Sequence, residues 1–170
     1  WGLKRYHLSR LEHVKHIYDK INWVDCDITD SRAALEALEI CKPDKIFHFA
    51  AESFVSPSWR HPRRYMDVNY LGTVNLLDAM QRLGMSDVPF HIPGSGEEYG
   101  EAFENELPLT EKSVLRPVNP YAVTKIAQDL IGLVYNRSYG LKIIRTRAFN
   151  HEGPRREKVF GIPWYAYQIA

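Results

Sequence analysis

Short apolar runs typical of β-strands alternate along this 170-residue chain with segments of helical periodicity. The predicted strands are Trp23–Cys26, Lys45–Ala50, Val88–Pro93 and Leu141–Thr146. Strands separated by helices of about 10–20 residues predict βαβ units and a doubly wound parallel sheet. Lys45–Ala50 is apolar on both faces, which favours the middle of such a sheet. Ligands of these sheets bind beyond the carboxyl ends of the strands, so the informative residues are expected just after each strand.

Helix signals fill the gaps between these strands. Asp30 is a good N-cap for a helix over Ser31–Cys41, and Pro62 marks the start of another after a loop over Glu52–His61. Gly84 and Gly140 are expected helix ends. The apolar stripes of the two later helices are Leu76, Ala79, Met80 and Leu83, and Val123, Ile126, Ala127, Leu130 and Val134. With no repeat or linker in the sequence, residues 1–170 are predicted to form a single domain.

The composition excludes several classes of protein. The 22 basic residues nearly balance the 21 acidic ones, and a net charge of +1 argues against nucleic-acid binding by bulk electrostatics. No apolar run approaches the roughly 20 residues of a membrane span, and no signal-peptide pattern opens the chain. Cys26 and Cys41 are too few and too far apart for a zinc site, so we expect buried free thiols, a cytoplasmic protein and no metal.

The sharpest constellation is Tyr121 followed four residues later by Lys125. On a helix the two side chains share one face. A free phenol has a pKa near 10, and a neighbouring ammonium is expected to lower it toward the working range of a base. A Tyr-x-x-x-Lys pair also recurs by chance on many helices. This motif alone therefore leaves open whether the pair is catalytic or accidental.

Further motifs follow the other predicted strands. In Gly94–Gly100, glycines would let the backbone come close to a ligand, and Ser95 and Glu97 supply a hydroxyl and a carboxylate. The alternative is a glycine-rich turn with solvated acidic side chains. The small residues of Phe47–Ser53 could let a flat cofactor pass, or reflect tight packing. The arginines of Asn150–Arg156 could grip a diphosphate, or be ordinary exposed side chains.

Taken in order, these segments resemble the extended short-chain dehydrogenase/reductase family, and within it the nucleotide-sugar dehydratases and epimerases, most of all GDP-mannose 4,6-dehydratases. The segments that carry the resemblance are Asp25–Asp30, Phe47–Val55, Asn69–Leu77, Ser95–Gly100, Pro117–Lys125 and Phe149–Arg156. The resemblance implies a Rossmann-like NAD(P)-binding domain that is partial over residues 1–170. Compared with the family pattern, this sequence is expected to lack the opening strand with its Gly-x-x-Gly-x-x-Gly turn. It is also expected to lack most of the C-terminal substrate region.

The resemblance also implies roles. Tyr121 would take the sugar O4 proton while hydride passes from C4 to the nicotinamide. Lys125 would hold the cofactor ribose, and Ser95 would hydrogen-bond O4. Glu97 would remove the C5 proton, so that water leaves from C6 and hydride returns there. The expected substrate is a sugar nucleotide, GDP-mannose, converted to a GDP-4-keto-6-deoxy sugar.

The same resemblance implies the binding residues and the assembly. Lys4 and Arg5, near the adenosine ribose, favour NADP, with NAD possible. A homodimer or homotetramer is expected. The expected cofactor-binding residues are Asp27, Ile28, Ala50, Ala51, Ser53, Asn69, Tyr121, Lys125 and Phe149. The expected substrate-binding residues are Ser95, Glu97, Asn150 and Arg155.

Two departures keep alternatives open. Gly96 stands where dTDP-glucose dehydratases carry an aspartate, which argues against that branch. Ser95 stands where dehydratases often have threonine, so a nucleotide-sugar 4-epimerase or 4-keto reductase is the same-fold alternative. The missing glycine-rich turn motivates a third hypothesis, a truncated non-catalytic binding or oligomerisation domain.

Overall fold

The structure is a computed structural model that describes residues 1–5 and 11–169. The strands in this part of the chain are β1 (Gly2–Lys4), β2 (Trp23–Asp25), β3 (Ile46–Phe47), β4 (Phe90–Ser95) and β5 (Ile143–Ala148). The α-helices are α1 (Ser31–Cys41), α2 (Pro62–Tyr65), α3 (Gly72–Arg82), α4 (Pro120–Tyr139) and α5 (Gly161–Ile169). Four 3₁₀ segments, Glu12–Lys20, Ser56–Trp59, Gly96–Glu98 and Glu104–Glu106, and one π-helical segment, Met66–Leu71, complete the order.

Every strand pairing is parallel, which confirms the predicted α/β class. β1 pairs with β2, while β3, β4 and β5 form a second sheet in that order. The longest register joins β4 to β5, from Phe90 opposite Ile143 to Ser95 opposite Ala148. A cleft of about 320 Å³ lies between the two sheets, lined by β1 residues such as Leu3 and β3 residues such as Phe47.

One hydrophobic core lies between the strands and a row of helices in which α1 packs on α3 and α3 on α4. Phe90 and Ile92 point from β4 into this core and are fully buried, as period-two alternation along a strand requires. α3 contributes its predicted stripe, whereas the stripe predicted for α4 is wrong, because Val123, Leu130 and Val134 are exposed and α4 contributes Tyr135 instead. The core includes Ala34, Ala37, Leu38, Leu76, Leu77, Ala79, Met80, Tyr135 and Leu141.

The predicted helix ends are confirmed. Asp30 caps α1 by accepting hydrogen bonds from the backbone N–H groups of Arg32 and Ala33 at 2.9 and 3.1 Å. Gly140 follows α4 in the left-handed conformation with φ of 70°, which glycine adopts without steric cost. Gly84 has a φ of 66° just after α3.

Several predicted bounds are wrong. Ladder pairing in β3 covers only Ile46–Phe47, and the Phe47 and Phe49 side chains are 64% and 71% exposed. β3 is therefore an edge strand in the described residues, beside the cleft, and not the middle of a sheet. The helix predicted from Pro62 is interrupted by the π-helical turn over Met66–Leu71, and β4 extends to Ser95.

The structure also bears on membrane spans, metal sites and the two cysteines. None of the helices in the described ranges is long and apolar enough to cross a membrane. Within the same ranges, no group of three or more His, Cys, Asp or Glu side chains could hold a metal ion. Cys26 and Cys41 are buried free thiols, as predicted.

Candidate active site

The N-terminus of α4 presents Tyr121 to the end of β4. Asn119 is the N-cap, Pro120 occupies the first turn, and Tyr121 follows with its ring buried edge-on against Tyr65, at 6.4 Å between centroids and 88° between planes. Proline suits this position because its missing N–H would have no partner in a first turn. The Ser95 hydroxyl lies near enough to the Tyr121 phenol across the sheet edge for hydrogen bonding to lower the pKa of that phenol. The two hydroxyls therefore lie together at the end of β4.

The expected lowering of the pKa of this phenol by Lys125 is wrong. Burial raises the pKa of Tyr121, and the nearby carboxylates of Glu97 and Glu98 raise it further. The bond to Ser95 and the charge of Arg156 oppose this rise. A shared helix face places two side chains side by side but does not aim the ammonium at the phenol oxygen.

Lys125 points into the interior instead. Its side chain lies on α4 with the residue only 3% exposed, and Nζ donates a hydrogen bond to Oε1 of Gln128. Burial lowers the pKa of Lys125 to about 8, although the charges of Glu98 and Asp129 act in the opposite direction. The structure therefore holds an amine that is poised to change its charge close to neutral pH.

A buried chain of hydrogen bonds continues from Gln128. The Thr73 hydroxyl donates to the carbonyl of Asn69 at 2.7 Å, so its oxygen can only accept from its other neighbours. Gln128 Nε2 lies 2.8 Å from that oxygen and His48 Nε2 lies 2.9 Å from it. This arrangement requires a proton on His48 Nε2, and it turns the Gln128 carbonyl toward Lys125.

Ser95 and Glu97 occupy a tight corner where β4 enters a 3₁₀ turn. Ser95 Oγ accepts from the Glu97 N–H at 3.2 Å, while the Glu98 carboxylate accepts from the Ser95 N–H at 2.7 Å. These reciprocal bonds form a capping box. Glu97 Oε2 accepts in turn from Asn119 Nδ2 at 2.8 Å. The corner is thereby attached to the helix that carries Tyr121.

Beneath this corner lies a buried ion cluster. Glu98 is fully buried, and Arg147 of β5 donates to it at 2.9 Å and to Asp129 of α4 at 2.7 Å. Asp129 also accepts from Arg145 at 2.9 Å. Because a buried charge is stable only when paired, this cluster fixes β4, β5 and α4 relative to one another.

A cavity of about 250 Å³ lies at the carboxyl ends of β1, β2 and β3, where ligands of parallel sheets bind. The predicted cofactor residues that line it are Asp27, Ile28, Ala50 and Ala51. Glu52, which the sequence did not single out, also lines it and pairs with Arg64 at 2.9 Å. Asp27 accepts two bonds from Thr29, at 3.0 and 2.8 Å. Burial would raise the pKa of Asp27, but these bonds and nearby arginines hold it below its usual value.

The two basic residues expected near the ribose both line this cavity, with different surroundings. Lys4 Nζ is paired with Asp25 Oδ1 at 2.6 Å. Arg5 lies near enough to Asp27 for its charge to lower the pKa of that carboxyl. The charge of Lys4 is therefore compensated on the neighbouring strand.

Five predicted cofactor residues are not part of the cavity lining: Ser53, Asn69, Tyr121, Lys125 and Phe149. Asn69 is fully buried, and its amide bonds the backbone N–H and C=O of Glu52 at 2.8 and 3.1 Å and Thr124 Oγ1 at 2.9 Å. It therefore holds a cavity-lining residue in place, and direct contact with a ligand would require breaking these bonds. Ser53 is exposed beyond the cavity.

The last predicted motif is spread over the surface after β5. Phe149 stacks on Tyr99 at 5.8 Å, away from the cavity between β1, β2 and β3. Asn150 is exposed, and Arg155 donates to the carbonyl of His13 at 2.7 Å. Arg156, which was not among the predicted site residues, is the arginine whose charge acts on Tyr121. Its position could not be deduced from two adjacent arginines in a loop.

Sequence comparison decides the family. Residues 2–170 match the protein family described as GDP-mannose 4,6 dehydratase. The chain belongs to this family. The GDP-6-deoxy-D-mannose reductase of Pseudomonas aeruginosa is 38% identical, over 75% of this chain and 42% of its own length. A GDP-mannose 4,6-dehydratase of Vibrio cholerae is 33% identical, over 91% of this chain and 40% of its own length. This member of the family thus spans less than half the length of these curated relatives.

Solved structures agree with this assignment. The Pseudomonas aeruginosa RMD complexed with NADPH superimposes with a TM-score of 0.80 at 31% identity, over 93% of this chain and 55% of that one. The Streptomyces venezuelae dTDP-glucose 4,6-dehydratase DesIV, with NAD and TYD bound, gives 0.85 at 29% identity, over 98% and 51%. The Rossmann-like fold expected for the family is confirmed.

Proposed function

We propose that this chain carries the catalytic corner of a nucleotide-sugar 4,6-dehydratase that acts on GDP-mannose with NADP as its cofactor. The observation that carries the proposal is the hydroxyl pair of Tyr121 and Ser95, with the Glu97 carboxylate near enough to influence the same phenol. An acid–base hydroxyl and a separate carboxylate are what a C4 oxidation coupled to a C5 deprotonation requires.

The chain's own residues would divide the proton transfers. Tyr121 would accept the O4 proton in its phenolate form, and Ser95 would hydrogen-bond O4. Glu97 accepts the C5 proton, which the C4 ketone makes acidic, and the electron pair of the C5–H bond forms the C5–C6 double bond. The C6 hydroxyl leaves as water with the proton that Glu97 has taken up. Glu97 then takes a proton from solvent and delivers it to C5, and Tyr121 releases the O4 proton to solvent. A bound nicotinamide cofactor would supply the hydride chemistry, accepting hydride from C4 and returning it at C6.

The residues present fit the adenosine part of such a cofactor. Ala50 and Ala51 leave room along the cavity wall, and Asp27 offers a carboxylate that its surroundings keep ionised. Arg5 at the same cavity favours a 2′-phosphate, hence NADP over NAD. Replacing Arg5 by Gln should weaken binding of NADP more than binding of NAD in calorimetry. An equal loss for both would remove the basis for NADP.

The assay of function uses the protein at its full natural length. Incubation with GDP-mannose and NADP should yield a GDP-4-keto-6-deoxy sugar, detected by mass spectrometry as the loss of water. Tyr121→Phe should abolish turnover, and Glu97→Gln should stop release of water. No product from the parent, with Glu97→Gln behaving identically, would reject a dehydratase.

A 4-keto reductase is the second candidate. The relative from Pseudomonas aeruginosa at 38% identity is named a GDP-6-deoxy-D-mannose reductase, and Ser95, Tyr121 and Lys125 would suffice for a reductase. Supplying a GDP-4-keto-6-deoxy sugar with NADPH distinguishes the two activities, because a reductase would consume NADPH stoichiometrically. A non-catalytic domain would bind neither NADP nor GDP in calorimetry.

Self-association is part of the proposal. α4 exposes the apolar side chains of Val123, Leu130 and Val134, which recur at helical spacing. A second copy packing on this face would give the homodimer expected from the family resemblance, and two dimers a homotetramer. Analytical ultracentrifugation of the parent and of Leu130→Glu tests this, and equal masses would contradict it.

The compartment is also inferred. Cys26 and Cys41 are buried thiols without a disulfide, and such thiols are typical of a reducing cytoplasm. Imaging of the protein with a C-terminal fluorescent tag would check this location.

A further inference from the structure

The side-chain amide of Asn119 links the start of α4 to the carboxylate of Glu97. Oδ1 accepts from the Ala122 N–H at 2.8 Å, and Nδ2 donates to Glu97 Oε2 at 2.8 Å. The two ends of the amide cannot be exchanged, because a flipped amide would point an N–H donor at the Ala122 N–H. The need to cap α4 therefore fixes the direction in which Nδ2 points.

Glu97 is also held at one point of its own turn. Its N–H donates to Ser95 Oγ at 3.2 Å, so the backbone is tied to the end of β4. With Oε2 engaged by Asn119, Oε1 is the remaining carboxylate oxygen. Within residues 1–5 and 11–169, no group hydrogen-bonds that oxygen.

We propose that Asn119 is a positioning residue that, through Nδ2, holds Oε2 of Glu97 and leaves Oε1 as the oxygen that takes the C5 proton. This inference rests on the proposed dehydratase function. It deepens that function by assigning orientation of the base to the same amide that caps the helix of Tyr121. Movement of α4 then carries the phenol and the carboxylate together, so their separation is preserved.

Three substitutions separate capping from positioning. Asn119→Ser keeps an N-cap acceptor but is too short to donate to Glu97. Asn119→Asp keeps the cap and replaces the donor by a second carboxylate that repels Glu97. Asn119→Ala removes both functions. A purely structural role predicts losses only for Asn119→Ala.

The catalytic readout compares two steps in the full-length protein. Exchange of the C5 proton in D₂O depends on Glu97, whereas reduction of NADP by the sugar depends on Tyr121 and Ser95. Asn119→Ser should slow C5 exchange by about tenfold to a hundredfold, as a misplacement of about 1 Å does, and leave the initial NADP reduction within about twofold. Equal slowing of both steps, or of neither, would overturn the positioning role.

A second readout does not depend on activity. In the ¹³C-labelled chain, NMR relaxation should show an ordered Glu97 side chain in the parent and a mobile one in Asn119→Ser and Asn119→Asp, with unchanged urea midpoints for unfolding. An equally ordered Glu97 in all variants would refute the inference even if the protein proves not to be a dehydratase. An inactive parent with the expected NMR result would instead reject only the proposed function.

Discussion

Arg147 of β5 donates from Nε to Oε2 of Glu98 at 2.9 Å, in a part of the protein where the Glu98 side chain has no solvent exposure. The ion pair lies directly under the corner that holds Ser95, since Glu98 also accepts from the Ser95 N–H. The geometry of the candidate active site therefore depends on a buried charge pair beneath it.

Replacing Arg147 by Leu should destabilise the fold strongly. Removing one partner of a buried pair typically costs about 3–5 kcal/mol, because the remaining charge is left without compensation. The matched control is Arg32→Leu, which breaks the exposed pair with Glu36 and should cost about 0.5 kcal/mol or less. Urea unfolding measures both, and similar losses would show that Glu98 reaches water.

Acid should weaken the fold through His48. Burial, helped by the charge of Lys125, lowers the pKa of His48 to about 3. The unfolded chain binds a proton there below about pH 6.5, and the folded chain does not until near pH 3, so stability falls as pH drops through this window. From pH 7 to pH 5 the parent should lose about 2 kcal/mol more than His48→Gln. Equal losses of unfolding free energy in the parent and in His48→Gln, measured with urea, would show that His48 accepts a proton in the folded chain.

The charge of Lys125 should respond to Gln128. Gln128→Glu places a carboxylate at the ammonium and should raise the pKa of Lys125 above its value of about 8. Gln128→Met removes the acceptor and should lower it further. Shifts of the ε-carbon in ¹³C-lysine NMR against pH measure the change. Identical titrations of Lys125 in all three proteins would contradict the contact.

Gly100 should tolerate no side chain. It has a φ of 55°, and an added Cβ would lie 1.7 Å from the carbonyl oxygen of Arg116. Gly84 has a similar φ of 66° but open space around it. Gly84→Ala should therefore cost about 1 kcal/mol for backbone strain alone. Gly100→Ala should cost clearly more in thermal unfolding, and equal costs would mean that the Arg116 segment moves aside freely.

Local signals in the sequence predicted local structure well. Asp30 as a cap and Gly140 as a stop were recognisable because each acts within one turn of its own helix. The proximity of Tyr121 and Ser95 was also predictable, since helices between parallel strands begin at the edge where the strands end. The family motifs added the residues that line the cavity at the ends of the first three strands.

Contacts between distant parts of the chain were not predictable in the same way. Nothing near Lys125 indicates that its ammonium turns to Gln128, because the orientation depends on Thr73 and His48 from other elements. The direction of the Tyr121 pKa was missed for the same reason: burial and acidic neighbours are properties of the assembled corner. The position of β3 at the edge of its sheet was not predictable either, because it depends on which strands pair with β3.

The cleft between β1 and β3 has a practical consequence. In the described residues each of these strands pairs on one side only, and apolar groups such as Leu3 and Phe47 line the space between them. Backbone groups along such strand edges are templates for extended peptides, whatever their source. The chain in this form should therefore aggregate more as its concentration rises. Low protein concentration, or a short β-forming peptide in the buffer, should reduce this aggregation.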